Sequence, residues 1–384
     1  MIPSIKYDYV FTGAGAAALS LAVRIKHSPS LRNKSILLID RSPKNKNDRT
    51  WCFWEQGDGF FESIIYKSWD HLSFVSEGMD LSLAITPYRY KMIRGIDFYE
   101  HCMDTLRLFP DVQLVQGNVE FCDTPDGRSS LLLNGELFDT SGAMVFNSIF
   151  DEKLQQRNEI YLLQHFKGWI IETDAPFFDP DRAILMDFTV DQSKGTTFAY
   201  VLPFSDRMAL VEYTLFTSHL LDDSEYEAGL QRYLQSYLKG MTYRIIEKEF
   251  GVIPMTDRQF RFFNNGIFHI GTAGGQTKAS TGYTFQFIQK QSAQIIAALE
   301  KGTLMEKMPV GSPSRFPFYD GILLYLLAKG RPSGKEIFSK LFSRNRAAAI
   351  FRFLDNESTL LQELQLMASL PQLPFLKAAL RRFF

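Results

Sequence analysis

Cysteine is scarce. Three cysteines in 384 residues, Cys52, Cys102 and Cys122, form no CxxC pair and no even set. That excludes a disulfide scaffold and a cysteine zinc site, and no histidine cluster has ligand spacing, so no metal site is expected. The pattern reads as a reducing, cytoplasmic setting. Long apolar runs are also missing. The strongest, GILLYLLA from Gly321 to Ala328, falls far short of the about 20 residues that cross a bilayer. The N-terminus enters a strand at once, so no signal peptide is expected. An excess of one charge is absent too. With 42 Lys and Arg against 43 Asp and Glu, the net charge is -1, and a nucleic-acid partner is not expected. No repeat and no low-complexity segment is present. A chain of this length without a span reads as two or three domains of a soluble or membrane-peripheral protein.

Aromatic residues, by contrast, are plentiful. They make up 14% of the chain, with 34 phenylalanines. Such side chains fill a core, and they also suit a long conjugated or isoprenoid ligand.

Tyr7 to Thr12 reads as a buried strand, Ala16 to Lys26 as a helix and Ser35 to Asp40 as a second strand. The turn between the first two is Gly13-Ala14-Gly15-Ala16-Ala17-Ala18, the GxGxxA form of a dinucleotide fingerprint. The first glycine permits a tight turn, and the second lets backbone approach a pyrophosphate. The small third position lets helix and strand pack closely. The helix N-terminus then offers free N–H groups to the phosphates. Asp40, 22 residues past Ala18 and followed by Arg41, stands where an acid holds ribose hydroxyls and disfavours a 2′-phosphate. Near the other end, GTAGGQTKASTGY opens a second helix. A flavin reaching across two domains needs such a second loop, so Gly271, Thr272, Ala273 and Gly274 favour FAD over NAD.

The stretch Asp48 to Gly59, dense in Trp and charge, reads as a loop. From Ile160 to Val252 the texture changes to alternating strands separated by Asp, Pro, Gly and Ser, which reads as an antiparallel sheet. The fold class is therefore α/β: a Rossmann-like FAD-binding domain, an inserted antiparallel substrate domain and a helical C-terminal segment. The expected boundaries are 1–70, 95–150 and 255–302 for the FAD domain, 71–94 and 151–254 for the substrate domain, and 303–384 for the tail. That tail holds 12 Lys and Arg against 6 Asp and Glu. Its segments FPFYDGILLYLLAKGR and FLKAALRRFF set apolar clusters beside cations. They suit either a packed helical layer or a membrane surface.

In this order, GAGAAA, Asp48-Arg49-Thr50-Trp51-Cys52-Phe53, LLQHFKGW (Leu162 to Trp169), FAYVLPFS (Phe198 to Ser205), LVEYT (Leu210 to Thr214), GVIPM (Gly251 to Met255) and Thr281-Gly282-Tyr283 resemble the lycopene β-cyclase family. The resemblance covers most of the chain. It implies a fold similar to flavoprotein hydroxylases and geranylgeranyl reductases. It also implies FAD-dependent, non-redox closure of the ψ ends of lycopene to β-ionone rings, through γ-carotene to β-carotene, with NAD(P)H keeping the flavin reduced. Thr281, Gly282 and Tyr283 then lie at the flavin ring. Asp48, Arg49, Trp51, His165, Phe166 and Tyr200 become substrate-side candidates, and packing is the competing role for Trp51 and His165. Related acyclic carotenoids and a membrane surface are the implied partners.

Glu212 is the candidate acid. Alternation puts Leu210, Glu212 and Thr214 on one face of a strand, and Val211, Tyr213 and Leu215 on the other. Among apolar neighbours a carboxyl loses solvation, its pKa rises, and it stays protonated to donate. Lycopene has no heteroatom, so ring closure must start by protonating an alkene, and either Glu212 or the reduced flavin can be the donor. The family often follows this glutamate with a second acid or polar residue. Here Tyr213 follows, so a single carboxyl is expected. The rival functions are a flavin monooxygenase or reductase acting on an isoprenoid, and a non-catalytic carotenoid carrier.

Overall fold

A computed structural model of the chain describes residues 6–123, 129–151, 159–308 and 313–383. Two large sheets meet at a cleft, and a layer of C-terminal helices covers much of the second sheet.

The first layer is a six-stranded sheet. β1 (Tyr9–Thr12), β2 (Ile36–Asp40), β8 (Val112–Gln116), β12 (Met144–Asn147) and β19 (Ile267–His269) run parallel, and β18 (Phe263–Asn264) adds an antiparallel edge. The order is β18-β19-β12-β1-β2-β8. Both faces are apolar because both are covered. Tyr9 and Phe11 point to α1 (Ala16–His27), α2 (Gly95–Arg107) and α4 (Phe285–Glu300), where Leu19, Phe98 and Ile288 join them. Val10, Leu37 and Val145 point the other way, against a meander of β9 (Val119–Asp123), β10 (Ser129–Leu133) and β11 (Glu136–Phe138).

The second layer has seven strands in the order β17-β13-β16-β15-β14-β5-β6. They are β5 (His71–Ser76), β6 (Met79–Ala84), β13 (Tyr161–Thr173), β14 (Arg182–Asp187), β15 (Thr196–Pro203), β16 (Met208–Thr217) and β17 (Tyr243–Thr256). All neighbours are antiparallel except β14 and β5. One face carries α3 (Asp223–Tyr237), whose first turn is closed by Asp222 N–H donating to Glu225 Oε2 at 3.0 Å. Trp169, Val211, Tyr213 and Leu215 pack against its Leu230 and Leu234.

The opposite face meets the C-terminal helices, α5 (Arg315–Lys329), α6 (Gly334–Arg344), α7 (Ala347–Leu354), α8 (Leu360–Ala368) and α9 (Gln372–Phe383). Leu324, Leu327, Phe338, Phe342 and Phe351 interlock there with Phe74, Phe198 and Leu210. Each fully buried side chain of this size contributes roughly 1.5–3 kcal/mol. Two apolar runs of the tail therefore part company. GILLYLLA lies inside α5 and buries Ile322, Leu324, Leu326 and Leu327, so it is core. The α9 run leaves Leu373, Leu376 and Leu380 in solvent.

Two expectations change. Asp48 to Gly59 is not wholly a loop: Thr50–Gln56 is strand β3. It pairs with β7 (Tyr88–Arg94), which also pairs with β4 (Lys67–Trp69). Residues 88–94 thus leave the substrate sheet, expected over 71–94, for this small third sheet. Local pattern carries no information about which sheet a strand joins.

Candidate active site

The cleft lies where the two large sheets meet and has a volume of about 410 Å3. Strands β13, β15, β16 and β17 form one wall, the segment Thr281–Phe285 ahead of α4 a second, and Asp48–Cys52 with Tyr90 a third.

The fingerprint sits at one end of the molecule's parallel sheet and has the shape of a cradle. Gly13 has φ +85°, and a Cβ there would lie 2.4 Å from Ser148 Oγ. Gly15 opens α1, and a Cβ on it would meet only open space. No side chain caps that N-terminus and no acid lies in its first turn. Ala14, Ala16, Ala17 and Ala18 are buried. Ala17 touches the second loop: a Cβ at Gly271, where φ is +60°, would stand 2.7 Å from Ala17 Cβ. The turn Gly271–Gly274, with Thr272 and Ala273 partly exposed, is thereby locked against α1. Asp40 ends β2 beside the cradle. It accepts from Ala14 N–H at 2.6 Å and Ser42 N–H at 2.7 Å, with Lys44 at 3.3 Å. Arg41 is exposed, and its carbonyl accepts from Gln116.

Further in, two polar atoms are enclosed with no hydrogen-bond partner: Thr281 Oγ1 and Gln164 Oε1. Both residues line the cleft. Gly282, φ +72°, brings backbone so close that a Cβ would sit 2.2 Å from Gln164 Oε1. Orphaned polar atoms cost about 1–3 kcal/mol each when buried. A planar ring with N–H and C=O edges answers them. The free α1 terminus, the open space at Gly15 and these orphans fit a flavin dinucleotide.

Glu212 is buried on β16 and faces the cleft, with Leu210 and Phe216 of the same face inside the apolar core. It is not alone. Gly168 on β13 stands opposite Glu212 on one side and Glu249 of β17 on the other. A Cβ on Gly168 would lie 3.1 Å from Glu212 Cγ, 2.8 Å from Glu249 Cγ and 2.9 Å from Glu249 Oε1. The glycine is what lets two carboxyls meet across an intervening strand. The expected single carboxyl is therefore corrected to a pair, and the second acid comes from two strands away rather than from the next residue.

The pair cannot be doubly charged without cost. Burial pushes Glu212 well above the usual carboxylate range, and Glu249 adds to this by charge and by hydrogen bonding. Glu249 is also raised by burial, yet Glu212, the Thr50 hydroxyl and Arg49 pull it back. Thr50 Oγ1 donates to Glu249 Oε2 at 2.7 Å. Glu249 Oε1 is enclosed with no fixed donor, and the Glu212 carboxyl faces it. One proton between the two satisfies both. Burial and the neighbouring charge favour the proton on Glu212, and Thr50 and Arg49 make Glu249 the readier to ionise.

Tyr90, Tyr200 and Tyr283 enclose the other side. Tyr90 and Tyr283 hydroxyls are 3.1 Å apart, and Tyr200 hydrogen-bonds Tyr283. Burial raises all three, so they stay neutral. Cys52, also lining the cleft, is pushed up by burial and by both glutamates. Phe166 lines the cleft because Gly251 leaves room for its ring, with a Cβ there only 2.2 Å from Phe166 Cζ.

The other candidates divide. Asp48, Arg49 and Trp51 reach the cleft. Asp48 accepts from Tyr99 O–H at 2.9 Å, and Trp51 packs on Phe98, Tyr99 and Phe285 at 5.1, 5.9 and 5.9 Å. His165 does not reach it. Its neighbours Gln164 and Phe166 take the cleft face, so alternation turns His165 to α3. There its ring bonds Thr217 Oγ1 at 2.6 Å and the Tyr226 hydroxyl, and burial lowers its pKa to about 4. It is a core residue. Reading the sequence alone missed Glu249, Thr50, Gln164 and Tyr90. The flanking GVIPM and LLQHFKGW segments marked their neighbourhood but not their meeting.

A family model described as lycopene cyclase protein matches residues 8–380. The chain belongs to the lycopene cyclase family. This lycopene cyclase family member is 29% identical over 342 residues to a chloroplastic neoxanthin synthase of Solanum tuberosum, covering 83% of this chain and 65% of that one. It is 32% identical over 142 residues to a lycopene beta-cyclase of a Paracoccus species, covering 35% and 36%. The chain thus aligns with less than two thirds of the length of these relatives. Its fold is similar to a geranylgeranyl bacteriochlorophyll reductase-like protein of Thermoplasma acidophilum, with TM-score 0.59, 13% identity and coverage of 97% and 98%. It is equally similar to a flavin-dependent brominase, with TM-score 0.59, 11% identity and coverage of 94% and 97%. Among the described residues no acidic, histidine or cysteine group is arranged to hold a metal.

Proposed function

We propose that this protein closes the ψ ends of lycopene to β-ionone rings, giving γ-carotene and then β-carotene, with Glu212 as the acid. The observation that carries the reading is a buried Glu212, pushed toward its neutral form by burial, in an aromatic cleft adjoining a dinucleotide cradle. Family membership and the lycopene beta-cyclase relatives support the substrate.

The chemistry follows from what the substrate lacks. Glu212 gives its proton to the terminal double bond, leaving a tertiary cation. The neighbouring double bond attacks it and closes a six-membered ring. Loss of a ring proton leaves the β end, and no electrons are exchanged overall. A carboxylic acid protonates an isolated alkene only where the forming cation is stabilised. The rings of Tyr200, Tyr283, Phe166 and Trp51 border the cleft, and such faces contribute about 0.5–2 kcal/mol each to a nearby cation. FAD, held by Gly13–Ala18, Asp40, Gly271–Gly274 and Thr281–Tyr283, adds the negative charge of its reduced form when bound. NAD(P)H is the reductant in this reading.

Lycopene is carried by membranes, and α8 and α9 offer a surface for one. Leu361, Leu364 and Leu373 are 67%, 64% and 72% exposed. Lys377 and Arg381 lie exposed on α9 beside Leu376 and Leu380. Exposed leucines flanked by cations suit an interface rich in anionic headgroups. No helix among the described residues is long and apolar enough to cross a membrane.

The test is anaerobic incubation of the purified protein with lycopene in liposomes and a reductant. Ring-bearing products of unchanged mass are expected. Products heavier by oxygen or hydrogen would move the reading to a monooxygenase or reductase, in keeping with the fold. Pigment binding without turnover in several lipid systems would make the protein a carrier.

A further inference from the structure

Ring closure needs a proton in and a proton out, and Glu212 accounts only for the first. Glu249 lines the same cleft. Its Oε2 is held by Thr50 Oγ1, and its Oε1 faces Glu212 beside Gly168. Resting on the cyclase reading, we propose that Glu249 is the base that removes the ring proton, so that the two glutamates pass one proton in and one out in each closure.

The balance closes. The Glu212 O–H bond breaks as a C–H bond forms on the alkene, leaving Glu212 as carboxylate and the substrate as cation. After ring closure a ring C–H bond breaks. Its electrons become the new double bond and its proton goes to Glu249 Oε1. Transfer from Glu249 to the facing Glu212 carboxyl restores the starting state, with no oxidant or reductant consumed. The pair is built asymmetrically for this. Glu212 lies among Leu210, Phe216 and Tyr200 with no cation at hand, whereas Glu249 has the Thr50 hydroxyl and the Arg49 charge. The other titratable groups facing the pair are Glu247, tied to Asn47 at 3.2 Å, the Cys52 thiol, and the Tyr200 and Tyr283 hydroxyls, all three of the latter pushed up by burial. The position of the base also decides the product. Taking the proton from the ring carbon that joined the chain gives the conjugated β end. Taking it from the ring methylene or the methyl group gives unconjugated ends.

The deciding variant is Glu249→Gln, which keeps size and the bond from Thr50 but cannot accept a proton. With lycopene liposomes, turnover is expected to fall about 10²-fold or more, and residual product to include unconjugated ends. The wild-type rate is expected to drop at low pH as Glu249 protonates, and this limb should vanish in Glu249→Gln and persist in Glu249→Asp. Infrared spectra of the substrate-free protein give a second readout. A carboxylic-acid C=O band at neutral pH should vanish in Glu212→Gln and shift in Glu249→Gln. Wild-type turnover with β ends only in Glu249→Gln, an unchanged low-pH limb in that variant, or a wild-type profile without such a limb overturns the proposal. A carboxyl band that Glu249→Gln does not move overturns it as well. A wild type that closes no rings would instead sink the cyclase reading itself.

Discussion

The two faces of the seven-stranded sheet are made by the same strands, one residue apart, and they behave in opposite ways. On the α3 face, polar groups answer one another, with the enclosed Trp169 Nε1 as the exception. His165 bonds Thr217 and Tyr226, Lys167 reaches Asp223 and Glu227 at 2.6 and 2.9 Å, and Tyr233 donates to Asp187 at 2.9 Å. On the cleft face, Gln164 Oε1, Thr214 Oγ1 and Glu249 Oε1 have no partner, and two carboxyls face each other. A face satisfied by its own side chains is stable and inert. A face left unsatisfied costs stability, and it persists where a ligand completes it.

The sharpest way to break that contrast is to neutralise the acid. Glu212→Gln should abolish detectable cyclisation, a loss of 10²-fold at the least, while retaining bound flavin by absorbance. Full activity in that variant would remove Glu212 from the chemistry.

Next in size is Gly168→Ala. The new methyl would stand 2.8 Å from Glu249 Cγ, so the carboxyls must separate. A displacement of about 1 Å in a reacting group costs up to about 10²-fold. Turnover should fall by roughly ten- to a hundredfold while the flavin spectrum stays intact. An Ala variant as fast as wild type would mean the pair's approach is irrelevant.

The α3 face should respond in stability instead. His165→Ala removes one bond from Thr217, which keeps the His219 carbonyl, and one from Tyr226, which keeps the Leu221 N–H. A loss of about 1–3 kcal/mol is expected, seen as a lower denaturant midpoint with kcat unchanged. The pH sign follows from its depressed pKa of about 4. The folded state prefers neutral His165, so its contribution is fully present above the unfolded value of about 6.5 and is lost as pH falls from there toward 4. His165→Gln should flatten that part of the stability profile. A changed kcat with stability intact would place His165 in the cleft after all.

The smallest effect is expected at the tail. Leu373→Ser with Leu376→Ser should reduce co-sedimentation with anionic liposomes several-fold and leave turnover of detergent-dispersed lycopene unaltered. Undiminished sedimentation would free α9 of any membrane role.

Much of the cleft face could be read from local pattern. Period-2 alternation sorts Leu210, Glu212 and Thr214 from Val211, Tyr213 and Leu215, and the structure divides them in the same way. The same rule, applied to LLQHFKGW, separates Gln164 and Phe166 from His165; the motif resemblance made both His165 and Phe166 substrate-side candidates, with packing as the competing role for His165, and alternation decides between them. Apolar composition alone likewise did not tell the tail's two runs apart. GILLYLLA and the α9 leucines are alike in sequence, and only the shape of the sheet they meet buries the first and leaves the second exposed.

The sequence by itself determined the cradle, because a tight turn, a close backbone approach and a free helix terminus are properties of six adjacent residues. It determined which side Glu212 faces, because a strand has no other way to point alternate side chains. Only the tertiary structure decided that Glu212 has a partner. β16 and β17 do not pair; β13 runs between them, and the missing side chain at Gly168 is what brings Glu249 within reach. Such a meeting depends on strand order and register across residues 168, 212 and 249, and no local pattern of residues encodes it.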